Sequence, residues 1–223
     1  MDQVIQNFFN LEILIKVYPL LLAGFWMTIK LCLVVVPLGV IGGLVVAVTY
    51  SFHIRWLNWL LIVYVDFFRA FPPLVLLILV FYGLPFLGVE VPNFVAVLIA
   101  FLLNTSSYYG EIFRAGIESV GRGQWEAARS TGLNALQTMA YVILPQASRN
   151  VAPDLTSNTL EVIKFTALAS VVALPELLRM ARVAQGITYN PTPLIVAALV
   201  YLALLWPLVR LLSRMERRML AKH

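Results

Sequence analysis

The chain has 223 residues, of which 61% are hydrophobic and 12% charged, with a mean hydropathy of +0.88. Soluble domains sit nearer half apolar and a quarter charged, so these figures exclude a cytosolic enzyme, a disordered tail and a nucleic-acid-binding domain. They imply a helical integral membrane protein. Cys32 is the lone cysteine and His53 and His223 lie far apart, which excludes an intrachain disulfide and leaves no basis for a metal site. Most of the net charge of +5 gathers at the end of the chain, where Arg210, Arg214, Arg217, Arg218 and Lys222 stand against Glu216. On a membrane protein such a tail reads as a cytoplasmic anchor. Residues 1–10 contain an acid and no positive n-region, so no cleaved signal peptide is expected.

A helix needs about 20 mostly apolar residues to cross a bilayer. In chain order the expected spans are residues 17–54, with Lys30 as its one charge, and 56–86, with Asp66 and Arg69 and an interruption at Pro72-Pro73. Next come the uncharged 92–109, the segment 155–174 with Glu161 and Lys164, and the uncharged 183–209. Five spans with the N-terminus outside place Arg55, Arg114, Arg122, Arg129, Arg149 and the basic tail on the cytoplasmic side, leaving only Lys16, Arg179 and Arg182 outside. The positive-inside rule selects that orientation.

One hydrophilic segment, residues 110–154, then faces the cytoplasm. Its four acids (Glu111, Glu118, Glu126, Asp154) balance its four arginines (Arg114, Arg122, Arg129, Arg149), which suits a protein partner better than a lipid surface. Gly121 and Gly123 are expected to break the helix leaving the third span. A short helix over 124–131 closes at Gly132, a C′ glycine. Asn134 caps a second helix with Gln137 in capping-box spacing. Leu136, Met139, Ala140 and Ile143 share one face of that helix, and Pro145 is expected to stop it.

The pattern Glu126-Ala127-Ala128, three residues, Gly132, nine residues, Val142-Ile143-Leu144-Pro145 resembles the EAA loop of ABC-importer permeases (EAA-x3-G-x9-I-x-LP), differing only in Val142. The resemblance continues through Tyr109-Gly110-Glu111-Ile112-Phe113-Arg114, Gly123-Gln124-Trp125-Glu126, Leu144-Pro145-Gln146-Ala147 and Leu174-Pro175-Glu176-Leu177, which are similar to the polar amino-acid branch of histidine, glutamine, arginine and opine systems. Phe68-Arg69-Ala70-Phe71-Pro72 resembles that branch's FRGTP segment, and Lys164-Phe165-Thr166-Ala167-Leu168 its KDTSL segment. Ala70, Phe71 and Phe165 depart from the usual residues, and those departures bear on the solute more than on the machine.

The resemblance implies an all-α, polytopic type I ABC importer permease fold, with residues 1–223 as a single permease domain and 110–154 as its coupling loop. Glu126, Ala127, Ala128, Gly132, Leu144 and Pro145 would carry the coupling: the alanines allow close approach, Glu126 offers a carboxylate to a partner's basic group, and Gly132 permits the turn. The implied partners are two ABC ATPase subunits, a second permease subunit, identical or homologous, and a periplasmic solute-binding protein delivering an amino-acid-like substrate. The implied place is the bacterial inner membrane. The chain has no phosphate-binding loop and no catalytic constellation, so it is read as no enzyme by itself, with no cofactor of its own; ATP and Mg would be bound by the partner ATPases.

Charges inside spans cost roughly 2.5–3.5 kcal/mol each at the bilayer centre and usually face helices or water. Asp66 and Arg69, three apart, are expected to neutralise each other, as are Glu161 and Lys164. Asn158, Glu161, Lys164 and Arg69 are the candidates for lining a path for zwitterionic solutes. Lys30 is expected to snorkel or face a neighbouring helix, and Tyr108 and Tyr109 to be interfacial aromatics. Gly39, Gly42 and Gly43 are expected to allow close helix packing, including against a second subunit. Pro72-Pro73 would be a hinge, and Pro191 and Pro193 simple features of a span end. The alternative is a secondary transporter or channel for a small polar solute, which would show an inverted repeat; the sequence contains no such symmetry.

Overall fold

The computed structural model describes residues 8–220, and every element among them is helical. Helix α1 runs Leu11–Tyr50, α2 Arg55–Ala70, α3 Pro73–Phe86, α4 Asn93–Glu118 and α5 Arg122–Ser130. Helix α6 (Ala135–Thr138), a π-turn (Met139–Ile143) and α7 (Leu144–Asn150) follow end to end. Then come α8 (Ala152–Phe165), a 3₁₀ segment (Thr166–Val172), α9 (Leu177–Thr188) and α10 (Thr192–Leu220). Of the basic tail, Lys222, together with the side chains of Glu216 and Arg218, lies outside the described residues.

Among the described residues, three helices are long and apolar enough to cross a membrane by themselves: Leu11–Tyr50, Asn93–Glu118 and Thr192–Met215. Helices α2 and α3 pass that test only as a pair, broken at Phe71-Pro72, which is where the double proline is expected to interrupt the second span. The expected fourth span, 155–174, is composite: α8 gives way at Thr166 to the 3₁₀ segment, and neither piece is long enough alone. The last span begins at Thr192 rather than 183, with Pro191 and Pro193 at its start, where proline's missing N–H costs nothing. Residues 183–188 belong instead to α9.

The contacts fall into two compact units. One gathers residues up to Val35 with Pro73–Ala100 and Leu160–Leu211. There the apolar face of α9 (Leu177, Ala181, Ala184) packs on Val17 and Leu21 of α1 and Ala197 of α10, with α9 so close to α1 that a Cβ on Gly24 would lie 2.9 Å from the Leu177 Cα. The other unit gathers Val36–Pro72, Phe101–Thr159 and the residues from Leu212 on. In it α1 and α4 approach at backbone distance. A Cβ on Gly39 would meet the Thr105 hydroxyl at 2.5 Å, one on Gly42 the Ser106 Cβ at 3.0 Å, and one on Gly43 the Gly110 nitrogen at 2.6 Å. The glycine run thus does allow close packing, and the helix it admits is this chain's own α4.

Overpacking of this kind costs about 1–3 kcal/mol. Gly43→Ala is expected to lower the thermal midpoint of the detergent-purified protein by roughly 2–4 °C for each kcal/mol. Gly83→Ala, in α3 with nothing within 4 Å of the added carbon, is expected to leave it unchanged or higher.

Candidate functional site

The loop after α4 is built from local rules. Gly121 is extended (φ −58°, ψ 143°) at the head of α5, and Thr131 ends α5 with its hydroxyl donating to the Ala128 carbonyl at 2.8 Å. Gly132 has φ +87°, and a side-chain carbon added there would meet nothing within 4 Å, so backbone conformation rather than space requires glycine. The expected capping box is present. Asn134 Oδ1 accepts from the Gln137 N–H and Gln137 Oε1 from the Asn134 N–H, both at 2.9 Å.

The expectation that Pro145 stops the second helix is corrected. The helix passes through it to Asn150, because the π-turn just before it, in which the Leu144 N–H bonds to the Met139 carbonyl, shifts the ladder ahead of the proline. Pro145 then occupies the first turn of α7, where no donor is needed. The Gln146 amide donates to the Val142 carbonyl at 2.8 Å and to Gln124 Oε1 at 3.1 Å, tying α7 to α5. The π-turn also splits the apolar face: Met139 and Ile143 are buried, whereas Leu136 is 64% exposed and Ala140 also faces out.

The coupling candidates divide accordingly. Ala128 is buried on α5, the helix that packs on the π-turn, Leu144 is half-buried, and Glu126, Ala127, Gly132 and Pro145 lie on the outside. A small residue at 128 lets α5 lie close. Glu126 and Ala127 are exposed on α5, as are Leu136 on α6 and Tyr141 (72% exposed) in the π-turn. On α4 behind the loop, Arg114 bridges Glu111 and Glu118, each at 2.6 Å, and its guanidinium stacks over Tyr50 at 5.7 Å. A cavity of about 250 Å³ opens there, lined by Tyr50, Asp66, Glu111 and Arg114.

The path candidates are placed as follows. Glu161 and Lys164 form the expected ion pair on α8 at 2.6 Å, each about half exposed (51% and 50%). Asn158 is half-buried, and its Nδ2 has no hydrogen-bond partner among the described residues. Arg69 does not pair with Asp66: its guanidinium lies 3.8 Å from Glu111 and 5.5 Å from the Tyr108 ring. The i, i+3 spacing permits the Asp66 contact, but α4 offers Arg69 a carboxylate and an aromatic face together. Tyr109 is fully buried, its hydroxyl 2.7 Å from the Thr159 hydroxyl, so it is core rather than interfacial. Lys30 faces a neighbouring helix, 5.3 Å from the Phe94 ring.

Sequence reasoning missed Glu176. It is fully buried at the head of α9, where its carboxylate accepts from the Leu178 and Arg179 N–H groups (2.8 and 2.6 Å) and the Tyr201 hydroxyl (2.9 Å). The Leu177 N–H goes to the Thr28 hydroxyl at 3.1 Å. Burial lifts the Glu176 carboxyl above the ordinary carboxylate range, opposed by those donors and the charge of Arg182. An acid just after a proline and ahead of an amphipathic helix was the available signal, but glutamate is not a favoured cap by type.

Apolar helices interrupted by a hydrophilic helical hairpin define a polytopic membrane protein, and the relatives below make it a permease, the non-catalytic membrane subunit of an ABC transporter. A family model for the binding-protein-dependent transport system inner membrane component matches residues 39–221, and the chain belongs to that family. The probable amino-acid ABC transporter permease YckA of Bacillus subtilis is 36% identical over 197 residues, 88% of this chain and 87% of its own. The arginine transport system permease ArtQ of the same organism is 34% identical over 203 residues, 90% of this chain and 93% of its own. A crystal structure of an amino acid ABC transporter with histidines superposes with a TM-score of 0.81 at 37% identity, covering 92% of this chain and 96% of that one.

The two acids of unlike setting are expected to respond differently. Glu176→Ala removes a cap and leaves a buried hydroxyl and two N–H groups unpaired, a loss of about 2–4 kcal/mol. Glu161→Gln breaks a half-exposed pair worth about 0–1 kcal/mol. Thermal melts of the purified protein should therefore drop markedly for the first and barely for the second.

Proposed function

We propose that this chain is the permease of an importer that moves a polar amino acid or amino-acid derivative across the bacterial inner membrane, with its N-terminus outside and C-terminus in the cytoplasm. Two ABC ATPase subunits, which bind ATP and Mg, would dock on the coupling loop. A second permease subunit would complete the pathway, and a periplasmic solute-binding protein would deliver the solute. Residues 1–223 would act as one permease domain in that complex. The observation carrying this reading is the loop: a short helix with an exposed Glu126-Ala127 edge, braced by Ala128 and a capped, π-turned second helix. Such a hairpin presents a fixed surface to a partner and transmits a push without deforming. The amino-acid relatives at 34–36% identity support the solute class.

Within the membrane, Glu161 and Lys164 offer both signs of charge for a zwitterion, and their half-exposed pair can be exchanged for solute contacts at small cost. Asn158, half-buried on the same helix, and Arg69 are the further path residues. Alternating access would follow from closure of the ATPases, relayed from Glu126 through Gly132 to Leu144 and Pro145.

The reading is tested on the complex reconstituted in vesicles with its ATPase, partner permease and binding protein. Glu126→Arg and Gly132→Pro are each expected to abolish uptake while the chain still inserts and ATP hydrolysis continues uncoupled from the solute. Uptake at the wild-type rate in both variants would overturn the coupling assignment, and a lone chain that transports without any ATPase would overturn the importer reading altogether.

A further inference from the structure

The double proline at 72–73 removes two particular backbone donors. In a continuing helix the N–H of residue 72 would bond to the Phe68 carbonyl and that of residue 73 to the Arg69 carbonyl, following the i to i−4 ladder. Proline has no N–H, so both carbonyls at the end of α2 are left without an intrahelical partner. The last ladder bond is from the Phe71 N–H to the Phe67 carbonyl at 3.1 Å, and Phe71 itself is extended (φ −80°, ψ 125°), as a residue before proline must be. In a membrane span no bulk water compensates for such groups.

Helix α4 supplies the two missing donors one for one. Asn104 Nδ2 donates to the Phe68 carbonyl at 3.1 Å, and the Tyr108 hydroxyl donates to the Arg69 carbonyl at 3.2 Å. Asn104 is 1% exposed and its Oδ1 accepts nothing among the described residues, so the amide serves there as a donor. Burying a half-used amide is costly. Tyr108 also lies with its ring beneath the Arg69 guanidinium, and Glu111, one turn further along, takes that guanidinium's charge at 3.8 Å.

We infer that Asn104 and Tyr108 are positioning residues which stand in for the backbone N–H groups that Pro72 and Pro73 lack, and so hold the second span broken and Arg69 fixed against α4. The break is built by two partners: the prolines open it and α4 seals it. Asn104 would be dispensable if residue 72 had an N–H, because α2 could then extend by one residue and satisfy the Phe68 carbonyl itself. Tyr108 becomes dispensable once residues 72 and 73 both carry one. The break itself would then be lost, and Arg69 with it as a fixed group.

Thermal melts of the purified full complex test this in matched and mismatched backgrounds. Asn104→Leu is expected to lower the midpoint by roughly 2–6 °C in the wild-type chain, by less than half as much with Pro72→Ala, and by the full amount with Pro73→Ala. Tyr108→Phe removes one oxygen, so it folds even if Asn104→Leu does not; its effect is expected to vanish when both prolines are alanine. Equal costs in all backgrounds would overturn the donor assignment. These melts need no solute, so they stand apart from the import reading. Uptake supplies the readout that a purely structural role would not move. The double Pro→Ala chain is expected to insert and assemble yet import at least tenfold more slowly per assembled complex, and wild-type uptake would overturn the positioning role.

Discussion

A backbone carbonyl released from its helix inside a membrane has no water to turn to, and must find a donor within the protein or remain unpaired at a cost of several kcal/mol. Much of the architecture of this chain answers that constraint. The run Asn104-Thr105-Ser106-Ser107 is out of place in the middle of an apolar helix until its hydrogen bonds are followed. Ser106 and Ser107 return theirs to α4's own carbonyls, Ser106 also meets the Tyr64 hydroxyl at 2.7 Å, and Asn104 reaches across to α2. Of the run, Asn104 is the residue that answers the early stop of α2, while the Thr105 hydroxyl is buried without a hydrogen-bond partner among the described residues and packs where α1 comes close at Gly39.

Charges obey the same rule in a weaker form. Arg69, Arg114 and Lys30 each have an aromatic ring at 5.3–5.7 Å, and Arg69 and Arg114 each have a carboxylate as well. An aromatic face attracts a cation without itself needing to be desolvated as an ion, which makes it a favourable neighbour for a charge near lipid. Glu176 is satisfied instead by the two N–H groups that open α9 and by one hydroxyl, so a fully buried acid there serves as a helix cap and as the joint between α9 and α10.

The helical hairpin after α4 was legible because its geometry is local. A glycine with positive φ and a capping box at i, i+3 are decided within a few residues, and Gly132, Asn134 and Gln137 behave as their spacing implies, whereas Gly123, expected to break the helix, lies inside α5, which starts at Arg122. The apolar stretches were legible from hydropathy, and so was the break at Pro72-Pro73, but their limits were not: the first helix runs Leu11–Tyr50 rather than 17–54, and the last begins at Thr192 rather than 183. Partners across helices were not. Spacing of three places Asp66 beside Arg69, but it cannot know that Glu111 and Tyr108 arrive from α4. Tyr109 next to Tyr108 reads as an interfacial pair, and only the close approach of α1 makes one of them core. The π-turn ahead of Pro145 escaped because the extra residue that lets a helix survive a proline leaves no fixed signature in composition.

The contrast has a mechanical meaning. The hairpin from Gly121 to Asn150 is held by short-range bonds that need nothing from the rest of the chain: the Thr131 hydroxyl on the Ala128 carbonyl, the Asn134–Gln137 capping box and a side-chain tie between Gln146 and Gln124. A break in a span has the opposite requirement. If Pro72 and Pro73 alone determined it, the end of α2 would be free to fray. If the ladder were intact, it could not bend. Sealing it with Asn104 and Tyr108 makes the break depend on where α4 lies, and α4 is the helix that runs on to the edge of the coupling loop, where a Cβ on Gly116 would lie 3.0 Å from the Ala147 carbonyl on α7. The hairpin and the two hydrogen bonds that seal the break, one on the Phe68 carbonyl and one on the Arg69 carbonyl, are therefore joined through a single helix.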